Sequence, residues 1–206
     1  MHKIAVDVDG VLLDFDGAWK LHAELALHRR LARVSGAYDL GDRYGLSGDE
    51  VAAGWQKFHE LHGWGGCATL PGAVEAVMAQ ISTGAEIHVI SAMNPRAIDW
   101  RIRRLRELGI SGTLHVPPRK ARSVYVNWDK GPLLRQIRPA FYADDQWPHC
   151  RAAREAGVPF VAHIHADHDG HGEPVAGVTE YGSLAEALAA FGAERTAGEI
   201  RPRKTA

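Results

Sequence analysis

The sequence predicts an α/β fold, a parallel sheet between layers of helices with a small helical cap inserted after the first strand. Two observations carry that prediction. Short apolar runs rich in β-branched residues alternate with segments of helical periodicity along most of the 206 residues. Alternation of this kind builds a parallel sheet covered by helices on both faces. Between residues 17 and 70 the alternation lapses and helical patterns follow one another, which marks an insertion.

Residues 3–8 (KIAVDV) read as a buried strand, broken by Asp9-Gly10. Leu21, Leu25, Leu27, Leu31 and Val34 fall near helical spacing over 17–34, and the Gly-, Asp- and Tyr-rich stretch 35–46 reads as a loop. Ser47 with Glu50 is a capping-box signature for a helix through Trp55, Phe58 and Leu61, with Gly63, Gly65 and Gly66 ending it. Pro71 at a helix start precedes Val74, Val77, Met78 and Ile81, and Gly84 closes that helix. A second strand follows over 85–90. The helix expected over 95–108 carries Ile98, Ile102, Leu105 and Leu108, with Gly109 as its stop. Then come a strand at 113–116, a helix at 130–137, a strand at 140–143, a helix at 150–156, a strand at 159–164 and a last helix at 183–191. The predicted organisation is a three-layer, Rossmann-like core from residues 1–16 and 71–192, a cap from 17–70, and a polar tail, 193–206, expected to be mobile.

Bulk properties narrow the function. Hydrophobic residues make up 46% and charged residues 24%, with a formal net charge of -1. That balance suits a globular protein and points to neither a nucleic acid polymer nor an anionic membrane. Cys67 and Cys150 build no disulfide framework and no zinc cluster by spacing. No apolar stretch approaches the roughly 20 residues of a membrane span. The start of the chain lacks the pattern of a signal peptide, so a cytoplasmic location is the expectation. Composition leaves the oligomeric state open.

Ligands of open parallel sheets gather at the carboxyl ends of strands. The first strand ends in Asp7-Val8-Asp9-Gly10, the second in Ser91, and the strand after Lys130 in Asp144-Asp145. Carboxylates brought together without a cation repel and raise at least one pKa, whereas a hard divalent ion with oxygen ligands, Mg2+, relieves the repulsion. Ser91 and Lys130 add a hydroxyl and a positive charge suited to a phosphoryl group. Lys120, in a Pro-Pro-Arg-Lys loop, competes with Lys130; the latter is preferred because it opens a helix ahead of the acidic strand.

These motifs resemble, in order, those of the haloacid dehalogenase (HAD) superfamily of phosphohydrolases: DVDGVLLD at 7–14, HVIS ending at Ser91, Lys130 in WDKGPLL, and FYADD ending at Asp145. The resemblance implies a magnesium-dependent phosphatase in which Asp7 attacks phosphorus and forms an aspartyl phosphate, while Asp9 serves as acid and then base. It implies that Ser91 and Lys130, beside Gly10, hold the phosphoryl group. It further implies that Asp7, the Asp9 carbonyl and Asp144 hold the metal, with Asp145 an outer ligand or a partner for Lys130. Dehalogenases of the superfamily lack an acid at the second position, so Asp9 argues for phosphoryl transfer. DVDGVLLDF and LPGAVEAV are also similar to the 5'(3')-deoxyribonucleotidase branch, whose cap aromatics sandwich a base. Trp64 falls in about the matching place, although Trp64-Gly65-Gly66-Cys67 replaces that branch's Phe-rich stretch. The substrate is therefore expected to be a small phosphorylated metabolite, with a nucleoside monophosphate first and a sugar phosphate second. Asn94 is a further candidate substrate contact. A phosphotransferase or mutase using the same residues, and a non-catalytic ligand-binding protein, are the alternatives.

Trp55, Phe58 and Trp64 are read either as a substrate sandwich or, preferentially, as the cap's own core. His59 and His62 are expected at the surface. The run from His163 to His171 is rich in His and Asp and is read as a polar loop ahead of a transition-metal site. Arginines 96, 101, 103, 104 and 106 are read as the wet face of an amphipathic helix.

Overall fold

The computed structural model describes residues 2–117, 128–166, 168 and 172–198. Among them a six-stranded sheet is built from β1 (Lys3–Val6), β4 (Glu86–Ile90), β5 (Thr113–His115), β6 (Phe141–Asp144), β7 (Phe160–Ile164) and β8 (Thr179–Tyr181). Its spatial order is β5-β4-β1-β6-β7-β8, and every pairing is parallel. The chain moves outward from β1 through β4 to β5, then crosses back to β6 on the other side. The order therefore reverses at β1, and the carboxyl end of β1 faces the crevice where such sheets bind ligands.

Both faces of the sheet are covered, which is why its strands read as continuous apolar runs. Ala5, Tyr142 and Val161 pack with Leu134 and Ile137 of α7 (Gly131–Ile137) and with Cys150 and Ala153 of α8 (Trp147–Glu155). Ile4, Val6, Phe141, Ala143 and Ala162 point the other way. They meet Val77 of α5 (Ala73–Ser82), Leu105 of α6 (Ile98–Glu107) and Leu188 and Phe191 of α9 (Leu184–Ala197). A 3-10 turn, Pro95–Ala97, leads into α6.

The insertion hangs from a two-stranded antiparallel ribbon of β2 (Leu13–Asp14) and β3 (Ala68–Thr69). Between those strands lie α1 (Phe15–Leu27), α2 (Leu40–Tyr44), α3 (Gly48–Glu60) and α4 (Gly63–Gly66). The capping box forms as expected: Ser47 Oγ accepts from the Glu50 amide at 3.3 Å and Glu50 Oε2 accepts from the Ser47 amide at 2.9 Å.

Several boundaries differ from the sequence reading. Helix α1 stops at Leu27 because His28 turns left-handed (φ 53). The expected loop at 35–46 contains α2, capped by Asp39, whose Oδ1 accepts from the Gly41 amide at 2.8 Å. The glycines thought only to end α3 instead form α4. A side chain at Gly63 would meet the Phe58 ring at 2.4 Å, so glycine there permits close helix contact. Pro71 precedes α5, which begins at Ala73 after Gly72 (φ 71). Helix α9 runs on to Ala197, so residues 193–197 are helical where a featureless tail was expected. The edge strand β8 and the β2–β3 ribbon are too short to leave a pattern in the sequence.

Candidate active site

The four predicted segments converge at the carboxyl ends of β1, β4 and β6. Asp7 follows β1, Ser91 follows β4, Asp144 ends β6 and Asp145 follows it. Lys130 is the residue before α7 and is fully buried. Its Nζ lies 2.7 Å from Asp144 Oδ2 and 2.9 Å from Asp7 Oδ1, bridging two strand ends. The competing Lys120 lies outside the described residues.

Asp7, Asp144 and Asp145 are all buried, and one oxygen from each lies within 4.8 Å of the others. Their surroundings are unequal. Asp144 is saturated: Oδ2 accepts from Lys130 and from the Tyr142 hydroxyl, and Oδ1 accepts from the Gln146 amide at 3.0 Å and lies 3.1 Å from His149 Nδ1. Asp145 has His168 Nε2 at 3.0 Å from Oδ2, while its buried Oδ1 has no hydrogen-bond partner among the described residues. The sequence reading offered Asp145 as an outer metal ligand or a partner for Lys130; in the fold Lys130 pairs with Asp144 and Asp7. Pairing to β7 sets the difference, because Asp144 lies in register with His163 while the chain turns away at Asp145.

Charge follows geometry. Burial pushes Asp7 up to about 6, opposed by Lys130 and reinforced by the charges of Asp144 and Asp9. Burial, then repulsion from Asp144 and Asp7, raises Asp145 well above the carboxylate range. Burial alone would raise Asp144 too, but Lys130 and His149 outweigh it and hold its carboxyl low. Burial would lower Lys130, and Asp144 with Asp7 overcomes that and raises it. Among the described residues, Lys130 is the lysine or arginine that pairs with this cluster, so one ammonium faces three carboxyl groups. A hard divalent cation fits that deficit and the unpartnered Oδ1 of Asp145.

Asp9 stands apart from the three. Its Oδ1 accepts from Arg101 Nη2 at 2.5 Å and its Oδ2 from Ser91 Oγ at 3.3 Å. The Asp9 carboxylate is thus directed to the β4–α6 side, which leaves the backbone carbonyl as the Asp9 group expected to hold the metal. Gly10 has φ 82, and a Cβ there would sit 2.8 Å from Asp145 Oδ2. Glycine lets the loop after β1 pass against the acidic cluster.

Asp7, Asp9, Gly10 and Asp145 open onto a cavity of ≈ 1000 Å³ whose opposite wall comes from the insertion, including Phe15, Arg33, Tyr38, Trp55 and Trp64. Trp64 therefore reaches the site. It stacks on Phe15 (centroids 5.5 Å, 23°) and meets Phe58 edge-on at 5.2 Å, so these rings fill one another's faces as a small core. Asn94 does not reach the site: it is exposed, and its Oδ1 caps the 3-10 turn by accepting from the Arg96 amide at 3.1 Å. His62 stacks on Trp100 at 3.9 Å. Of the His163–His171 run, residues 167 and 169–171 lie outside the described residues. His163 Nε2 lies 3.0 Å from the Asp145 carbonyl, and His168 contacts Asp145.

Sequence reasoning missed Arg101, Tyr142 and His149. Arg101 could have been found. It falls on the stripe Ile98, Arg101, Leu105, Leu108, whose spacing of three and four residues marks the buried side of α6. Tyr142 and His149 left no comparable signal, since a tyrosine in an apolar strand and a histidine in a helix have many ordinary uses.

Neither a protein-family model nor a curated protein matches the chain. Solved structures do. A predicted phosphoglycolate phosphatase from Haemophilus somnus matches with a TM-score of 0.59 at 16% identity, over 92% of this chain and 97% of its own. D,D-heptose 1,7-bisphosphate phosphatase from B. bronchiseptica, complexed with magnesium and phosphate, matches at 0.57 and 14%, over 94% and 99%. A HAD family hydrolase from Deinococcus radiodurans with bound phosphate and sodium matches at 0.58 and 16%, over 98% and 98%. At these identities the likeness establishes the fold: the chain has the α/β architecture of HAD-type phosphatases and hydrolases.

Proposed function

We propose that this chain is a magnesium-dependent phosphomonoester hydrolase that acts through an aspartyl phosphate on Asp7. The observation that carries the reading is the buried cluster of Asp7, Asp144 and Asp145, paired among the described residues with the ammonium of Lys130 and opening onto a cavity. The magnesium and phosphate in the B. bronchiseptica phosphatase complex support it by analogy of fold.

Asp7 and Asp145 would hold the ion with their carboxylates and Asp9 with its carbonyl, while Asp144 acts chiefly by fixing Lys130. When bound, magnesium supplies positive charge against the phosphoryl oxygens. Lys130, anchored by Asp144, keeps Asp7 aligned and adds a second positive charge behind it. An Asp7 oxygen attacks phosphorus, and the bond from phosphorus to the ester oxygen breaks. Asp9 gives its proton to the departing oxygen. Asp9 then takes a proton from water, whose oxygen attacks the same phosphorus. The bond to Asp7 breaks, releasing inorganic phosphate and restoring both carboxyl groups. Ser91, bonded to Asp9, would orient that carboxyl or a phosphoryl oxygen.

The insertion closes the cavity, which limits substrates to small molecules. A nucleoside monophosphate remains the first candidate. Because Phe15, Trp55 and Trp64 pack against one another, Phe15 stacked on Trp64 and Trp55 tilted to both, a base would rest against the cluster rather than between its rings.

The test is phosphate release from p-nitrophenyl phosphate with and without magnesium, followed by a screen of phosphorylated metabolites including nucleotides. Asp7→Asn is expected to lower turnover by roughly 10³-fold or more. Rapid quenching of the wild type should leave one phosphoryl group on the peptide carrying Asp7. Turnover surviving in Asp7→Asn would remove Asp7 as nucleophile.

A further inference from the structure

Arg101 is wholly buried in α6; its Nη2 lies 2.5 Å from Asp9 Oδ1 and its guanidinium interacts with the Cys67 thiol, while Nε and Nη1 find no hydrogen-bond partner among the described residues. Burying a guanidinium with donors unsatisfied is costly, and an apolar residue would serve the packing of α6 better. The position therefore pays in stability for something other than packing.

Two contacts suggest what that is. Arg101 takes one oxygen of Asp9 and Ser91 approaches the other, so the carboxyl has one orientation at the edge of the cavity. The same guanidinium lies 5.3 Å from the Trp64 ring of the insertion. Helix α6 is also fastened to the insertion on either side of Arg101. Trp100 stacks on His62 at 3.9 Å, and Arg104 Nε donates to the Cys67 carbonyl at 3.1 Å.

We propose that Arg101 is a positioning residue for Asp9, holding its carboxyl in line with the leaving oxygen and tying that alignment to the seating of the helical insertion. The inference rests on the reading of Asp9 as acid and base. Arg101 is absent from the cavity wall, so it acts through Asp9 and not on the substrate.

Such a role predicts a loss that depends on the leaving group. p-Nitrophenolate departs without a proton, whereas phenolate needs one. In Arg101→Met, kcat/KM, which reports the step that expels the leaving group and not the later hydrolysis common to both substrates, should fall about 100-fold on phenyl phosphate and about 10-fold or less on p-nitrophenyl phosphate. Arg101→Lys keeps the charge and should recover part of the difference; it carries the same comparison should the methionine variant fail to fold. In an Asp9→Asn background the Arg101 substitution should add little, because the two residues act as one unit. Equal losses on both substrates, adding fully to those of Asp9→Asn, would reduce Arg101 to a packing residue and overturn the proposal. Asp9→Asn tells the two readings apart. If that variant hydrolyses phenyl phosphate normally, the acid–base assignment falls and this inference with it. If that variant is inactive while Arg101→Met keeps the wild-type ratio, this inference alone falls.

Discussion

Lys130 and Asp144 form an ion pair closed to solvent, with Nζ 2.7 Å from Oδ2 and both side chains at 0% exposure. Removing one partner of such a pair strands the other charge in a medium that cannot solvate it. Lys130→Met should therefore destabilise the fold by about 3–5 kcal/mol near neutral pH, besides abolishing turnover. Urea unfolding in metal-free buffer measures this, and a loss below about 1 kcal/mol would contradict the role given to the pair.

The paired aspartates should separate cleanly. Asp144→Asn breaks contacts to Lys130, Tyr142 and His149, so it should lower stability by roughly 3 kcal/mol. Asp145→Asn removes a buried carboxyl with an unpartnered oxygen and should leave the metal-free protein as stable as before or more so, while raising the magnesium concentration needed for half-maximal activity about tenfold or more. Thermal melts and magnesium titrations of the two variants decide it. The reverse pattern would make Asp144 the principal metal ligand.

Magnesium should stabilise the protein more as pH rises. Asp7 has a folded value of about 6 against an ordinary 3.8, so between those values the folded metal-free chain binds more protons than the unfolded one. Its contribution to stability then falls as pH increases through that window. Asp145, also raised, has the same sign. Asp144 is lowered, and its contribution is present above the ordinary carboxylate value and lost only as pH falls below it. A cation that compensates Asp7 and Asp145 must displace protons at low pH and none at high pH. The rise in Tm on adding magnesium should therefore be small near about pH 5 and several degrees larger near about pH 8. A pH-independent increment would count against both carboxyl groups as ligands.

Gly10→Ala should damage fold and site together. The positive φ costs an L-residue about 1–2 kcal/mol, and the new methyl would press on Asp145 Oδ2. Stability should fall by at least that amount and magnesium affinity should fall with it, measurable by calorimetric titration. A variant with wild-type affinity would mean that the loop after β1 moves aside freely.

Most of the layered core could be read from the chain because strands buried on both faces must be apolar throughout, and helices between them must be apolar along one stripe. The same logic placed Asp7, Ser91, Lys130 and Asp144 at element ends, where polar residues next to apolar runs stand out. It failed for Arg101, since a charged residue in an arginine-rich helix looks solvated until something buries it. It failed for Asn94 as well, which sits close to Ser91 in sequence but is turned outward by its own cap on the Arg96 amide.

The sequence alone determined the alternating layers, the inserted helices and the residue types gathered at the strand ends, because periodicity and local turn chemistry act over a few neighbours. Only the tertiary structure decided which carboxylates Lys130 pairs with, that Asp145 keeps an oxygen unpartnered among the described residues, and that Asp9 faces Arg101 across 92 positions of chain. Those outcomes depend on burial and on through-space charge, and both arise only when distant segments pack together.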